Sequence, residues 1–262
     1  MINIIIDYNI YKEYAGGTVF EEVSANKNVT KISDWRKVSG GQMVNIFTGE
    51  VKDIKKSETK GDNLRSVAIS LNRGKDYALN NFCNKPKVYS IDFTYSYEQK
   101  WYDKFMADIK KLVKNIQKIN KDVKIIIFKE VNQNGVYHGH MLLTDADITE
   151  AIFRELWTEG DEIKFSIMTK DIDVIRKINY LTNISGNNEK SLKKRNAYKN
   201  FPSNKRLYYK TSNLDTDIKI TNGKLDKTNL ETVLKTPDEK ASKTGISYGT
   251  YIKSDDKEYE VV

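Results

Sequence analysis

Histidine and cysteine are almost missing from this chain: its 262 residues include two of the first and one of the second. A lone Cys83 excludes an internal disulfide and any cysteine-based zinc cluster. No apolar run approaches the roughly 18 residues of a membrane span, so no transmembrane helix is expected. The opening MINIIIDYNIYKEY is too short and too interrupted for a signal peptide, which makes the cytoplasm the expected location. Arginine is scarce beside lysine, yet positive charge prevails, with 44 Lys and Arg against 36 Asp and Glu, a net +8 and a pI near 9.1. That excess favours a polyanionic partner over an acidic one. At 30.3 kDa the chain is long enough to bury a real core.

Both histidines fall in one stretch, KIIIFKEVNQNGVYHGHMLLT, residues 124–144, which reads as two strands folded back on each other. Strand side chains alternate with a period of two, so His138 and His140 share a face and can hold a divalent ion through neutral imidazoles. The turn decides whether a third ligand joins them. A two-residue Asn134-Gly135 turn would put Glu130 opposite Gly139, with its carboxylate on the wrong face. A three-residue loop, Gln133-Asn134-Gly135 with Gly135 left-handed, pairs Asn132 with Val136 and sets Glu130 opposite His138. The second register gathers two imidazoles and a carboxylate and is the one expected here. Such mixed nitrogen and oxygen ligands suit Mn2+ or Mg2+ bridging a phosphodiester and would also admit zinc or cobalt.

Around this hairpin the pattern alternates between helix and strand. Residues 1–62 read as a strand-rich extension with apolar stretches IIIDYNIY, TVFEEV and MVNIFTGEV, and KKSETKGDN, 55–63, reads as a linker. Leu64, Val67, Leu71, Ala78 and Phe82 predict a helix from Asn63 to Phe82, weakened in the middle by Gly74. In KVYSIDFTYS, 87–96, Tyr89, Ile91, Phe93 and Tyr95 alternate with Ser90, Asp92, Thr94 and Ser96, a strand with one core face and one small, polar face. Trp101, Phe105, Ile109, Leu112, Ile116 and Ile119 mark a helix over 98–120 that should lie across the sheet. After the hairpin come a short helix from Ile148 to Trp157, a strand at 163–169, and a helix capped by Asp171 that runs to Ser185-Gly186. The order predicts an α+β fold, a central, mainly antiparallel sheet with packed helices.

Residues 187–212 interleave Lys193, Lys194, Arg195, Lys205 and Arg206 with Tyr198, Phe201, Tyr208 and Tyr209. Basic groups on phosphates and rings on unpaired bases suit single-stranded nucleic acid, and the same residues also read as a lysine-rich surface over a tyrosine-rich strand. Beyond Leu214 the chain is polar, with strand signals at DIKI, ISYGTYI and EYEVV; residues 213–262 read as a C-terminal appendage.

The succession of a polar-faced strand VYSIDFTYS, a His-x-His strand GVYHGHMLLT and a helix INYLTN carrying Tyr180 resembles the HUH endonucleases, specifically the rolling-circle replication initiators of phages and plasmids. The resemblance covers about residues 63–212. The tyrosine follows the histidine pair, as in initiators; in mobilisation relaxases it precedes the pair. Ile184 stands four residues after Tyr180, so a single-tyrosine enzyme is implied. The resemblance implies a ferredoxin-like nuclease domain with Tyr180 as nucleophile and His138, His140 and Glu130 on Mn2+ or Mg2+. It also implies contacts of Arg176, Lys193, Lys194, Arg195, Arg206 and Tyr208 with single-stranded DNA or an origin hairpin, and a host replication helicase and polymerase as partners. Two departures stand out. Gly139 occupies the place of a bulky apolar residue, and Asn183 that of a lysine, a role Lys177 could serve from one turn earlier.

Overall fold

The computed structural model describes residues 4–14, 19–29, 35–54, 57–184, 189–222, 246–253 and 259–261. In chain order its elements are β1 (Ile4–Tyr14), β2 (Val19–Val29), β3 (Trp35–Val38), β4 (Gln42–Asn45), β5 (Val51–Asp53), α1 (Leu64–Phe82), β6 (Val88–Phe93), α2 (Tyr102–Ile119), β7 (Lys124–Val131), β8 (Tyr137–Thr144), α3 (Glu150–Leu156), β9 (Ile163–Met168), α4 (Asp171–Thr182), α5 (Glu189–Ala197), β10 (Tyr208–Lys210), β11 (Ile218–Asn222), β12 (Ile246–Lys253) and β13 (Tyr259–Val261). The fold is α+β with antiparallel sheets.

The hairpin of β7 and β8 lies inside a five-stranded sheet of order β10-β7-β8-β6-β9. Asn132 closes its turn. The Asn132 N–H donates to the Val136 carbonyl at 3.0 Å, and its side-chain oxygen accepts from the N–H groups of Asn134 and Val136 at 2.9 and 3.0 Å. Gly135 takes the φ of 81° that a three-residue loop requires. Glu130 therefore pairs with His138, the expected register.

Alternation then sorts the two faces. Glu130, His138, His140 and Asp92 face the side covered by α1, α4 and α5, while Phe93, Lys129 and Tyr137 face α2 and α3. On that second side Phe93 meets Trp157 at 4.7 Å between centroids and Phe105 stacks on Tyr137 at 5.1 Å. The polar face of β6 is not left to solvent: Ser90 is buried, and Asp92 binds Lys177 of α4.

Several local expectations are corrected. Helix α2 starts at Tyr102, and Trp101, still in extended conformation just before it, is 78 % exposed and not part of the core stripe. Ile119 at the other end is also exposed, so burial rests on Phe105, Ile109, Leu112, Val113 and Ile116. Asp171 is the first residue of α4, not its cap; its carboxylate accepts the Asn84 N–H at 2.6 Å and so ties α4 to the end of α1. Helix α4 ends at Thr182, and the expected stop at Ser185-Gly186 lies outside the described residues. The described part of the expected linker is packed, with Thr59 bridged to Pro202 and the Lys60 N–H on the Phe201 carbonyl at 2.7 Å.

The two ends of the chain share a second five-stranded sheet, β11-β1-β2-β12-β13. Lys12 and Tyr14 of β1 both bind Asp76 of α1, at 2.7 and 2.9 Å, joining that sheet to the helical layer. Asn80 and Asn81 at the end of α1 are buried and donate to the Asp215 carbonyl, and Asn81 accepts the Asp215 N–H, fixing the chain as it leaves β10.

Candidate metal centre and adjoining cleft

Pairing within the sheet builds the centre. His138 and His140, two apart on β8, lie beside Glu130 of β7, and both Nε2 atoms converge on one carboxylate oxygen, Oε2, at 3.2 and 2.8 Å. One ligand atom from each residue lies within 4.8 Å of the others, and all three residues are half-buried. Two imidazoles and a carboxylate with open positions fit a divalent cation of the Mn2+ or Mg2+ kind as well as a softer one, so the donor set does not select the metal.

The other flank is set by β6. Asp92 pairs with His140 across the ladder, and its Oδ1 lies 2.7 Å from His140 Nδ1. A carboxylate there holds the Nδ1 proton and leaves Nε2 free to ligate, the usual support for a metal-binding imidazole. The same carboxylate binds Lys177 of α4 through both oxygens, at 2.9 Å each. Asp92 thus joins the second histidine to the helix that carries Tyr180. Sequence alternation put Asp92 on the right face, but its role depends on β6 lying next to β8, which the sequence does not specify.

Electrostatics follow from these contacts. Burial works to raise the Glu130 carboxyl, and hydrogen bonds from His138 and His140, with the Lys194 ammonium nearby, hold it far below the usual carboxylate range. Asp92 is likewise opposed by burial and brought down to about 2 by His140 and Lys177. Burial alone would lower His140; its two carboxylate partners raise it.

A cleft of about 770 Å3 opens beside the centre, lined by Glu130, His138, Asn179, Tyr180, Asn183, Lys193 and Lys194 among others. Tyr180 is 64 % exposed, so it is not a core tyrosine. Lys193 is exposed and paired with Glu189, whereas Lys194 reaches inward to Glu130 Oε1 at 3.3 Å. Arg195 donates to the Ile184 carbonyl at 2.6 Å, and Arg176 and Arg206 are exposed.

Tyr208 is placed differently from the expectation for a base-stacking ring. It is 5 % exposed, edge-on to Tyr77, and a Cβ on Gly74 of α1 would lie 3.1 Å from its ring. The glycine that weakens α1 as a helix lets it approach the sheet closely, and the rings of Phe128 and Tyr208 fill that contact. Gly139 has a similar basis: a Cβ there would lie 2.3 Å from Phe93 Cζ, so the residue between the histidines is small because the Phe93 ring occupies its space.

Comparison with family models, with curated proteins and with solved structures gives no match for this chain.

Proposed function

We propose that this protein cuts and rejoins single-stranded DNA through a 5′-phosphotyrosine on Tyr180, in the manner of the HUH initiators of rolling-circle replication. The observation that carries the reading is that an exposed tyrosine opens on the same cleft as Glu130 and His138 of a two-imidazole, one-carboxylate cluster. A divalent cation held by His138, His140 and Glu130 would supply Lewis-acid neutralisation of the phosphate oxygens. Tyr180 Oη attacks phosphorus as its phenolic proton leaves to solvent. The P–O3′ bond breaks, and the departing 3′ oxygen takes a proton from water. The phosphotyrosine keeps the energy of the phosphodiester, so a returning 3′-hydroxyl reverses the step and reseals the strand. In this reading the ligand is single-stranded DNA or an origin hairpin, the free 3′-hydroxyl serves a host polymerase, and a host helicase opens the duplex ahead of it.

A second reading has its own observation. Asn183 stands three residues after Tyr180 where the initiators carry lysine, and Lys177 is bound to Asp92. A silent relative that binds origin DNA without cutting it would fit that pattern. Incubation of the full chain with labelled single strands and Mn2+, resolved on a denaturing gel, separates the two. The nuclease gives a covalent adduct that is lost in Tyr180→Phe and with chelator; the silent protein gives binding without adduct.

A further inference from the structure

We propose that Lys194 is the cation that contacts the scissile phosphate, supplying from α5 the charge that Asn183 does not supply from the end of α4; this rests on the strand-transfer reading above. Lys177 is poorly placed for the task. Both oxygens of Asp92 hold its ammonium at 2.9 Å, and it does not line the cleft. Lys194 lines the cleft together with Tyr180 and His138, with its side chain 15 % exposed.

Its position is fixed by the nucleophile's own helix. Nζ lies 2.6 Å from the carbonyl oxygen of Leu181, the residue after Tyr180, and 3.3 Å from Glu130 Oε1. The last carbonyls of a helix have no partner within it and carry the negative end of its dipole, so an ammonium is favoured there. Lys194 therefore caps α4 within one residue of the phenol while it touches the carboxylate of the metal cluster. An ammonium has three donors. Among the described residues the Leu181 carbonyl accepts one of them and Glu130 is held as an ion pair, and a further donor serves a non-bridging phosphate oxygen in the cleft. That contact is a charge-assisted hydrogen bond and transfers no group; the bonds made and broken remain those at Tyr180 and phosphorus.

The test measures binding of a short fluorescein-labelled single strand to the full chain, without metal, over a series of salt concentrations. Lys194→Gln should weaken binding about tenfold and flatten the slope of log K against log salt by about 0.7, the loss of one phosphate contact on a single strand. Lys194→Arg should keep most of the affinity, and Lys177→Gln should leave the slope unchanged. Mn2+ titration of the same variants separates this role from a structural one, because removing an ammonium from Glu130 should leave Mn2+ affinity equal or higher. An unchanged slope in Lys194→Gln, an equal loss of slope in Lys177→Gln, or a joint loss of strand and Mn2+ binding overturns the assignment. A wild type that binds the strand, loses slope in Lys194→Gln and never forms an adduct refutes strand transfer but keeps the phosphate contact. A wild type that binds no strand at low salt refutes both.

Discussion

Two adjacent residues of β7, Lys129 and Glu130, carry opposite charges to opposite faces of one sheet. Lys129 is buried and Glu130 half-buried, and their surroundings differ. Glu130 has two imidazoles and an ammonium around its carboxylate and stays ionised. Lys129 has the Tyr102 hydroxyl at 2.7 Å and the Met106 sulfur at 3.4 Å, and Lys205, Arg206 and Lys60 are the charges acting on it. Burial first, and those cations second, lower its pKa to about 7. Burial therefore prevails at Lys129, which has no anionic partner among the contacts named, and is outweighed at Glu130 by the partners of its carboxylate. One face is organised to hold charge and the other to hold rings, and the site belongs to the first.

The comparison is broken most severely by Glu130→Gln. Losing the only carboxylate of the cluster should lower Mn2+ affinity by more than about 100-fold in a calorimetric titration, whereas Lys129→Met, one residue away on the other face, should leave it unchanged. Asp92→Asn should act more mildly, reducing Mn2+ affinity about 10- to 100-fold by loosening the His140 ring and its tautomer. On the ring face, Gly139→Ala should cost about 1–3 kcal/mol in urea unfolding, because Phe93 is held between Phe153 and Trp157 and cannot swing clear.

A last test, gentlest when read per pH unit, sharpens the contrast. Lys129 has a folded pKa of about 7 against an ordinary value of 10.5, so between those values the unfolded chain binds the extra proton. Stability tied to this group is therefore lowest below pH 7 and rises with pH toward 10.5, by about 1.4 kcal/mol per pH unit at most. Lys129→Met should remove that rise. A wild-type stability that falls over this window, relative to the variant, would contradict the burial argument.

Local chemistry made part of this legible. The hairpin register follows from Gly135 and the three-residue loop, and with it the meeting of Glu130, His138 and His140. The helix stripes on α1 and α2 are readable by period, although Trp101 shows that a periodic position just outside a helix need not join its core. Contacts set by strand order were not legible. Asp92 reaches His140 because β6 lies beside β8, and Tyr208 lies buried where α1 comes close to β10 at Gly74. The strand signals at DIKI, ISYGTYI and EYEVV were visible, but nothing local to the first two indicates pairing with β1 and β2 some 200 residues earlier in the chain, whereas EYEVV pairs with its neighbour β12.

The central claim places a nucleophilic phenol beside a cation-binding cluster, and peptide mapping tests it most directly. After incubation with Mn2+ and a single strand that is cut, trypsin and nuclease digestion should leave a nucleotide mass on the peptide of residues 178–190, on Tyr180. The mass should be absent in His138→Ala. A nucleotide mass on another residue, or one on Tyr180 that persists in His138→Ala with chelator present, would contradict the account.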